Sequence, residues 1–146
     1  MNRFQPGPLV FFTGGTALRA LSRHLAAHAV PAAHIVTTFD SGGSTAALRR
    51  AFAMPAPGDI RHRLGALADP AAVPPRVLDI WEWRAPEDGD PARLREEMRA
   101  MGDVWHPFWL DVPEAFAEPL RRYFRDFLDH MPAAFDPRAA CFGNLV

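Results

Sequence analysis

The residues best suited to chemistry lie in three short turns that combine glycine with hydroxyl or carboxylate side chains. The turns are residues 13–16 (TGGT), 40–44 (DSGGS) and 58–59 (GD). Glycine lets a backbone approach an anion closely, and the free N–H groups of a helix N-terminus and Ser or Thr hydroxyls donate hydrogen bonds to it. We interpret the turns together as a cradle for phosphate or diphosphate, although each turn alone could serve only the fold.

The charged residues of these turns allow more than one role. Asp40 directly follows a predicted strand, so its carboxylate either coordinates Mg²⁺ or a sugar hydroxyl, or caps the next helix. Asp59 either takes part in the site or only caps the helix that follows it. Arg61 falls in the first turn of the following helix, where it either faces an anion or pairs with Asp59 or Asp40. All 16 basic residues are arginine, so the chain has neither a Walker A lysine nor a Schiff-base lysine.

Other candidate groups favour structural interpretations. His24 and His28 are spaced i, i+4 but lack a third ligand, which argues against zinc. Cys141 is the single cysteine, which excludes an intrachain disulfide, and it has no base near it in sequence. The four tryptophans are expected to pack in the core rather than stack on a planar ligand (Trp81, Trp83, Trp105, Trp109).

The composition is that of a globular protein without broad affinity for nucleic acid or membranes. The chain has 146 residues, 49% of them hydrophobic, and a formal net charge of −1. It contains no apolar run of about 20 residues and no charged-then-apolar leader. We therefore expect one domain or one domain with an appendage, a cytoplasmic location, and no nucleic-acid or membrane partner.

The elements that must position the turns begin with a strand, a helix and a second strand. The unbroken apolar run over residues 8–13 predicts a strand buried on both faces, and residues 34–39 predict a second strand. Between them, residues 17–29 predict a helix that buries Leu18, Leu21 and Leu25 and is capped by Thr16 or Thr13. Two strands joined by a helix predict parallel pairing with a right-handed crossover.

Helices are predicted for most of the remaining chain. The segment 45–52 predicts one helix, and Asp59 caps the next, which buries a stripe of Ile60, Leu64, Leu67 and Ala68. Residues 76–84 allow either a helix or a strand, and we favour a helix. Further helices are predicted over 91–101 and over 114–130, where Pro119 kinks or delays the last one.

The predicted fold class is α/β, with a parallel sheet and a helical appendage. We assign residues 1–75 to the α/β core, 76–131 to a helical insertion and 132–146 to a return to the core. Two strands form an incomplete sheet. Either the chain is a truncated domain or a partner, such as a second copy in a homodimer, completes the sheet.

The turn motifs resemble those of the CofD-like family, which includes 2-phospho-L-lactate transferase and the gluconeogenesis-factor (YvcK-like) proteins. The resemblance rests on five segments in the family's order: TGGT at 13–16, TFDSGGS at 38–44, GDIR at 58–61, ALAD at 66–69 and GNL at 143–145. Residues 9–69 match well and residues 141–146 as a fragment, whereas the helical stretch between them matches only in position.

The resemblance implies a Rossmann-like core that binds a nucleotide-diphosphate compound. In the transferase branch, a Mg²⁺-dependent reaction moves phospholactate from a guanosine-diphosphate-linked donor to a deazaflavin hydroxyl. The resemblance places catalytic roles on Asp40, which also holds the metal, and on Asp59. It places ligand contacts on the remaining motif residues: Gly14, Gly15, Thr16, Ser41, Gly42, Gly43, Ser44, Gly58, Arg61 and Asn144.

Two departures from the family pattern lie beside these turns. Ala17 stands where the family often has glycine, and His62 stands where it usually has asparagine. The sequence therefore leaves three functions open: a transferase acting on a diphosphate-linked substrate, a non-catalytic regulatory binder of nucleotide sugars or dinucleotides, and an interaction module that docks a partner through its tryptophan-rich helices.

Overall fold

The computed structural model describes residue 7 and residues 9–146, so residues 1–6 and 8, which open the predicted core segment, lie outside the described residues. The described chain contains two strands, β1 (Leu9–Thr13) and β2 (Ala32–Val36). Its α-helices are α1 (Arg19–Ala27), α2 (Gly43–Phe52), α3 (Gly58–Leu67), α4 (Pro75–Glu82), α5 (Pro91–Met101) and α6 (Glu114–His130). Short 3₁₀ turns cover Pro107–Trp109 and Phe142–Asn144.

The two strands form a parallel sheet, which confirms the predicted α/β class. Leu9 lies opposite Ala32 and Thr13 lies opposite Val36. The ladder continues one step further, because the Thr37 N–H donates to the Thr13 carbonyl oxygen at 3.1 Å. The second strand begins and ends earlier than predicted, so residues 37–41 leave the sheet as an extended loop.

The prediction that both faces of the sheet are buried is wrong. Phe12 is 79% exposed and Ile35 is 51% exposed, and Val10 on the same face is also exposed. The opposite face is covered in part, since α3 packs against β2 and Thr13 is buried there. The described helices therefore cover only one side of the two strands.

The predicted apolar stripes of α1 and α3 are wrong in part, because a buried arginine joins these helices. Arg63 is only 2% exposed, and its guanidinium donates to the Ser22 hydroxyl and to the carbonyl oxygens of Gly14 and Ala17. Helix α1 therefore turns the buried Ser22 towards α3. Four of the side chains expected inside are exposed (Leu18, Leu21, Ile60, Leu64), whereas the other three are half-buried (Leu25, Leu67, Ala68).

Capping also differs from the prediction. Neither Thr13 nor Thr16 caps α1, whose N-cap is Leu18 without a side-chain cap bond. Helix α3 begins at Gly58 with Pro57 as its N-cap, so Asp59 lies inside the first turn and its carboxylate is available for other contacts.

The largest buried cluster lies among the C-terminal helices rather than on the sheet. The predicted helices within 76–84, over 91–101 and over 114–130 are confirmed as α4, α5 and α6, with Pro119 inside a continuous α6. Their apolar side chains pack around the last 3₁₀ turn and against α2 (Leu48, Ile80, Met98, Met101, Trp109, Phe124, Phe135, Phe142). Of the tryptophans, Trp109 is buried in this cluster whereas Trp105 is exposed.

Within the described residues, no helix combines the length and apolar character needed to cross a membrane.

Candidate functional site

Parallel pairing places the loops that follow β1 and β2 at the same edge of the sheet, the edge where ligands bind in open α/β folds. A third loop joins them there, because the Ala56 N–H donates to the Thr38 carbonyl oxygen at 3.0 Å. This bond ties the segment before α3 to the chain that leaves β2. The three predicted turns therefore begin at neighbouring positions of the backbone at this edge of the sheet.

The first turn packs directly on α3. A methyl group built on Gly15 would lie 2.6 Å from Asp59 Oδ1, 3.1 Å from His62 Cδ2 and 3.3 Å from Asp59 Cα. One built on Gly14 would lie 3.6 Å from Asp59 Oδ2, which is an ordinary contact. Gly15 is therefore needed for close approach of two backbones, and the Asp59 carboxylate lies beside both glycines.

Asp40 links the second turn to the third. Its Oδ1 accepts a hydrogen bond from the Gly42 N–H at 3.0 Å, which fixes the turn before α2. Its Oδ2 would lie 3.0 Å from a methyl group on Gly58, which also abuts the Thr45 hydroxyl. Asp59 Oδ2 accepts from the Thr37 hydroxyl at 2.8 Å. The structure thus brings Asp40, Gly58 and Asp59 together with the first turn, while their binding function stays a prediction.

Arg63 braces the first turn, and sequence reasoning missed it. Its Nη2 donates to the Gly14 carbonyl oxygen at 3.0 Å and to the Ala17 carbonyl oxygen at 2.7 Å. Burial lowers the pKa of its guanidinium, whereas the neighbouring Asp59 carboxylate raises that pKa. A residue that binds two carbonyl oxygens of one loop holds the loop's shape, and nothing in the spacing of GDIRHR distinguishes it from a solvated arginine.

Arg61 does not pair with either carboxylate, so that part of its prediction is wrong. It is 3% exposed, its Nη2 donates to His62 Nε2 at 2.7 Å, and its Cδ would lie 2.9 Å from a methyl group on Gly143. Burial lowers the pKa of Arg61. Burial, and then the Arg61 charge, lower the pKa of His62. Because a guanidinium can only donate, His62 Nε2 is the acceptor of the bond from Arg61.

The hydroxyl and amide groups predicted to contact ligand divide into buried and exposed sets. Ser44 is buried, and its Oγ accepts from the Cys141 N–H at 2.9 Å and from Asn144 Nδ2 at 3.2 Å. These two bonds hold the C-terminal 3₁₀ turn against α2. The exposed set consists of Thr16, Ser41, Gly42 and Gly43. The Gly42 N–H already donates to Asp40 Oδ1, so the donors of this set that could meet a ligand are those of Thr16, Ser41 and Gly43.

The carboxylates of the site fit a Mg²⁺ ion that takes some of its ligands from water and substrate better than a metal ion whose ligands all come from the protein. Within residues 7 and 9–146, no group of three or more His, Cys, Asp or Glu side chains lies close enough to hold an ion. Mg²⁺ commonly binds through one or two carboxylates and takes its other ligands from water and substrate phosphates. Asp40 Oδ2, free of a hydrogen bond to Gly42 and facing the Gly58–Asp59 turn, fits that pattern.

Comparison with known proteins agrees with these motifs. A family model described as 2-phospho-L-lactate transferase CofD matches residues 9–125. The chain belongs to the CofD family. Within it, the chain is 41% identical over 86 residues to a gluconeogenesis factor of Bacillus subtilis, covering 59% of this chain and 26% of that protein. It is 32% identical over 117 residues to a putative gluconeogenesis factor of Aquifex aeolicus, covering 77% of this chain and 33% of that protein.

The comparison with a solved structure agrees with this family assignment. A member of the upf0052 family from Bacillus halodurans matches with a TM-score of 0.50 and 31% identity, covering 66% of this chain and 32% of that one. The chain thus spans about a quarter to a third of the length of these CofD-family relatives.

Proposed function

We propose that this CofD-family chain binds the diphosphate of a nucleotide-linked compound and, as part of a whole family protein, serves transfer of a phosphoryl-linked group. The observation that carries the proposal is the meeting of Gly14 and Gly15, Asp40, and Gly58 and Asp59 at one edge of the sheet. Exposed N–H and hydroxyl donors border that edge, and no apolar side chain separates Asp59 from Gly14.

The chemistry of such a transfer matches what these residues offer. Displacement at a diphosphate needs neutralisation of the phosphoryl oxygens more than covalent help from the protein. The turn at Gly14 to Thr16 and the turn at Ser41 to Gly43 would donate hydrogen bonds to those oxygens. Asp40 would hold Mg²⁺ or orient an acceptor hydroxyl, with Asp59 beside it. When bound, Mg²⁺ would supply positive charge that offsets the diphosphate.

A second candidate is a non-catalytic regulatory binder of nucleotide sugars or dinucleotides. The observation that favours it is that the relatives reported above are named gluconeogenesis factors, a name that states no transferase activity. Both candidates use the same cradle, and they differ in ligand and in metal dependence.

Titration calorimetry on the chain separates the candidates. GDP, UDP-glucose and NAD are each titrated with Mg²⁺ and with EDTA. Guanosine binding that requires Mg²⁺ favours the transferase, whereas metal-independent binding of UDP-glucose or NAD favours the regulatory binder. Absence of binding by a folded chain would contradict both candidates.

Asp40→Asn tests the assigned carboxylate. The amide oxygen can still accept from the Gly42 N–H, so we expect the fold to persist while Mg²⁺-dependent affinity falls about tenfold or more. Asp103→Asn is a matched control, because Asp103 accepts from the N–H two residues later, that of Trp105, in the same way. Equal Mg²⁺-dependent affinity in the Asp40 variant and the unaltered chain would argue against the proposed role of Asp40.

A further inference from the structure

One side of the two-stranded sheet is apolar and open to solvent. Val10 lies opposite Ala33 and Phe12 lies opposite Ile35, so these four residues form one continuous surface. Val10, Phe12 and Ile35 are 56%, 79% and 51% exposed, and Ala33 is exposed as well. Phe39, in the loop that continues β2, is 83% exposed. We call these five residues the open patch.

Single exposed apolar side chains are normal on a protein surface, but the open patch departs from that pattern. A parallel sheet is almost always covered on both faces, whereas a sheet that faces water on one side carries polar residues there. The exposed side of β1 and β2 carries apolar residues at all four paired positions. The described helices leave this side uncovered, and their apolar side chains pack around the C-terminal 3₁₀ turn instead. A contiguous apolar surface of this kind is typical of a site of protein association.

The charge of the open patch favours a second copy of this chain as the partner. In a twofold interface the same surface meets itself, so a charged residue near the axis faces a like charge. None of the five side chains of the patch carries a charge. Two copies can therefore bring their patches together without repulsion.

The size of the open patch also matches what a homodimer needs. A standard interface buries about 800 Å² on each copy, and about 65% of a homodimer interface is apolar, so each copy must contribute about 500 Å² of apolar surface. From the exposed fractions of its members and the usual area of such side chains, the patch presents on the order of 500 Å². The patch alone supplies the apolar part of a standard homodimer interface.

We propose that two copies of this chain associate through the open patch, sheet against sheet, about a twofold axis. Packed sheets lie about 10 Å apart, a distance at which the side chains of the two inner faces interdigitate. In such a dimer Phe12 of each copy packs against the sheet of the other, and every contact occurs twice. Because Phe39 directly precedes Asp40, the second copy also lies beside the loop that carries part of the predicted cradle.

Sedimentation equilibrium of the full chain tests the proposal directly. The mass of one chain is 16.2 kDa. Over about 1–100 µM protein, we expect the average mass to rise towards twice that value and to level off there. The mass must level off at two copies, because a surface that meets itself about a twofold axis is used up once two copies have associated.

Two substitutions test whether the open patch forms the contact. Phe12→Arg removes a large aromatic side chain and brings like charges together, so the dissociation constant of the dimer should rise at least about a hundredfold. Ile35→Thr keeps a β-branched residue in the strand and should raise that constant about three- to tenfold. Trp105→Arg is the matched control, because Trp105 is 88% exposed in the loop after α5, outside the patch, and it should leave the constant unchanged. Circular dichroism checks that each variant is folded.

Several outcomes would overturn the proposal. An unaltered chain that stays a monomer over this concentration range overturns it, and so does a series of larger oligomers, since a twofold contact closes at two copies. Unchanged dimer affinity in folded Phe12→Arg, or an equal loss in Trp105→Arg, places the contact on another surface. If Phe12→Arg does not fold, Ile35→Thr decides the same question. None of these outcomes bears on the calorimetric test of the diphosphate cradle, so the two proposals fail separately.

Discussion

Gly15→Ala tests whether the first turn depends on close approach to α3. The added methyl group would meet Asp59 Oδ1 at 2.6 Å, His62 Cδ2 at 3.1 Å and Asp59 Cα at 3.3 Å. The carboxylate can rotate away only by giving up its 2.8 Å bond from the Thr37 hydroxyl. The Cα belongs to the backbone of α3 and can move only with the helix. The substitution must therefore separate the turn from the helix.

The expected cost combines two effects. Overpacking a close contact costs about 1–3 kcal/mol, and loss of the Thr37 bond adds about 1 kcal/mol. We expect the free energy of unfolding to fall by about 2–4 kcal/mol, which for a chain of this size lowers the Tm by about 5–15 °C. Gly14→Ala is the matched control, because a methyl group there meets only Asp59 Oδ2 at 3.6 Å.

Urea unfolding followed by circular dichroism measures both variants. The Gly15 variant should lose stability, and the Gly14 variant should stay within about 0.5 kcal/mol of the unaltered chain. Equal stability of Gly15→Ala and the unaltered chain would show that the turn does not pack on α3 as described. Equal destabilisation of both variants would instead point to the conformation of the turn, not to its distance from Asp59.

Three further predictions concern other contacts. Arg63→Met should lower the free energy of unfolding in urea by about 2–4 kcal/mol, because its buried bonds to Ser22 and two carbonyl groups are lost. A decrease below about 0.5 kcal/mol would contradict the role of Arg63 in holding the first turn. Ser44→Ala should lower the free energy of unfolding by about 1–3 kcal/mol, whereas Ser41→Ala, at an exposed position, should leave it almost unchanged. Equal effects would contradict the assignment of the Ser44 hydroxyl as buried and the Ser41 hydroxyl as exposed. Burial, aided by the Arg63 charge, lowers the pKa of His34 below 6.5, so the unfolded chain takes up that proton first and stability falls as the pH drops below 6.5. His34→Phe should reduce the slope of the unfolding free energy against pH below about pH 6.5, while the contribution of His62 remains. An unchanged slope would contradict this reasoning.

The sequence was sufficient to predict elements whose signals are local. The strand predicted over residues 8–13 is present at Leu9–Thr13, with residue 8 outside the described residues, and the helix over 91–101 has the predicted bounds. An apolar run bounded by glycine and a proline after Asp90 each act within a few residues. Asp90 also accepts from the Arg93 N–H at 2.9 Å, as an N-cap does. The CofD resemblance was equally local, since it rests on turn motifs.

The orientation of α1 and α3 could not be predicted in this way. Hydrophobic periodicity assumes that leucines face inward, but Arg63 has three oxygen partners across α1 and its preceding turn. Satisfying a buried guanidinium outweighs burial of Leu21 or Leu64, since an unpaired buried charge is far more costly than an exposed leucine. Which polar group finds such partners depends on the tertiary arrangement. The same holds for Ser44, whose partner Cys141 lies 97 residues away.

The glycines of the predicted site separate what the fold requires from what a ligand requires. Close contacts with protein atoms account for Gly15, Gly58 and Gly143, and a φ of +49° accounts for Gly43. Gly14 and Gly42 have neither reason, because a methyl group at each meets only a carboxylate oxygen at 3.6 Å. If the turns bind a diphosphate, these two glycines keep room for its oxygens near the backbone. Gly14→Ala and Gly42→Ala should therefore keep the stability of the unaltered chain and still weaken binding of the diphosphate ligand by about tenfold in calorimetry. Unweakened binding by both stable variants would mean that the ligand, if it binds here, does not approach the backbone of these turns.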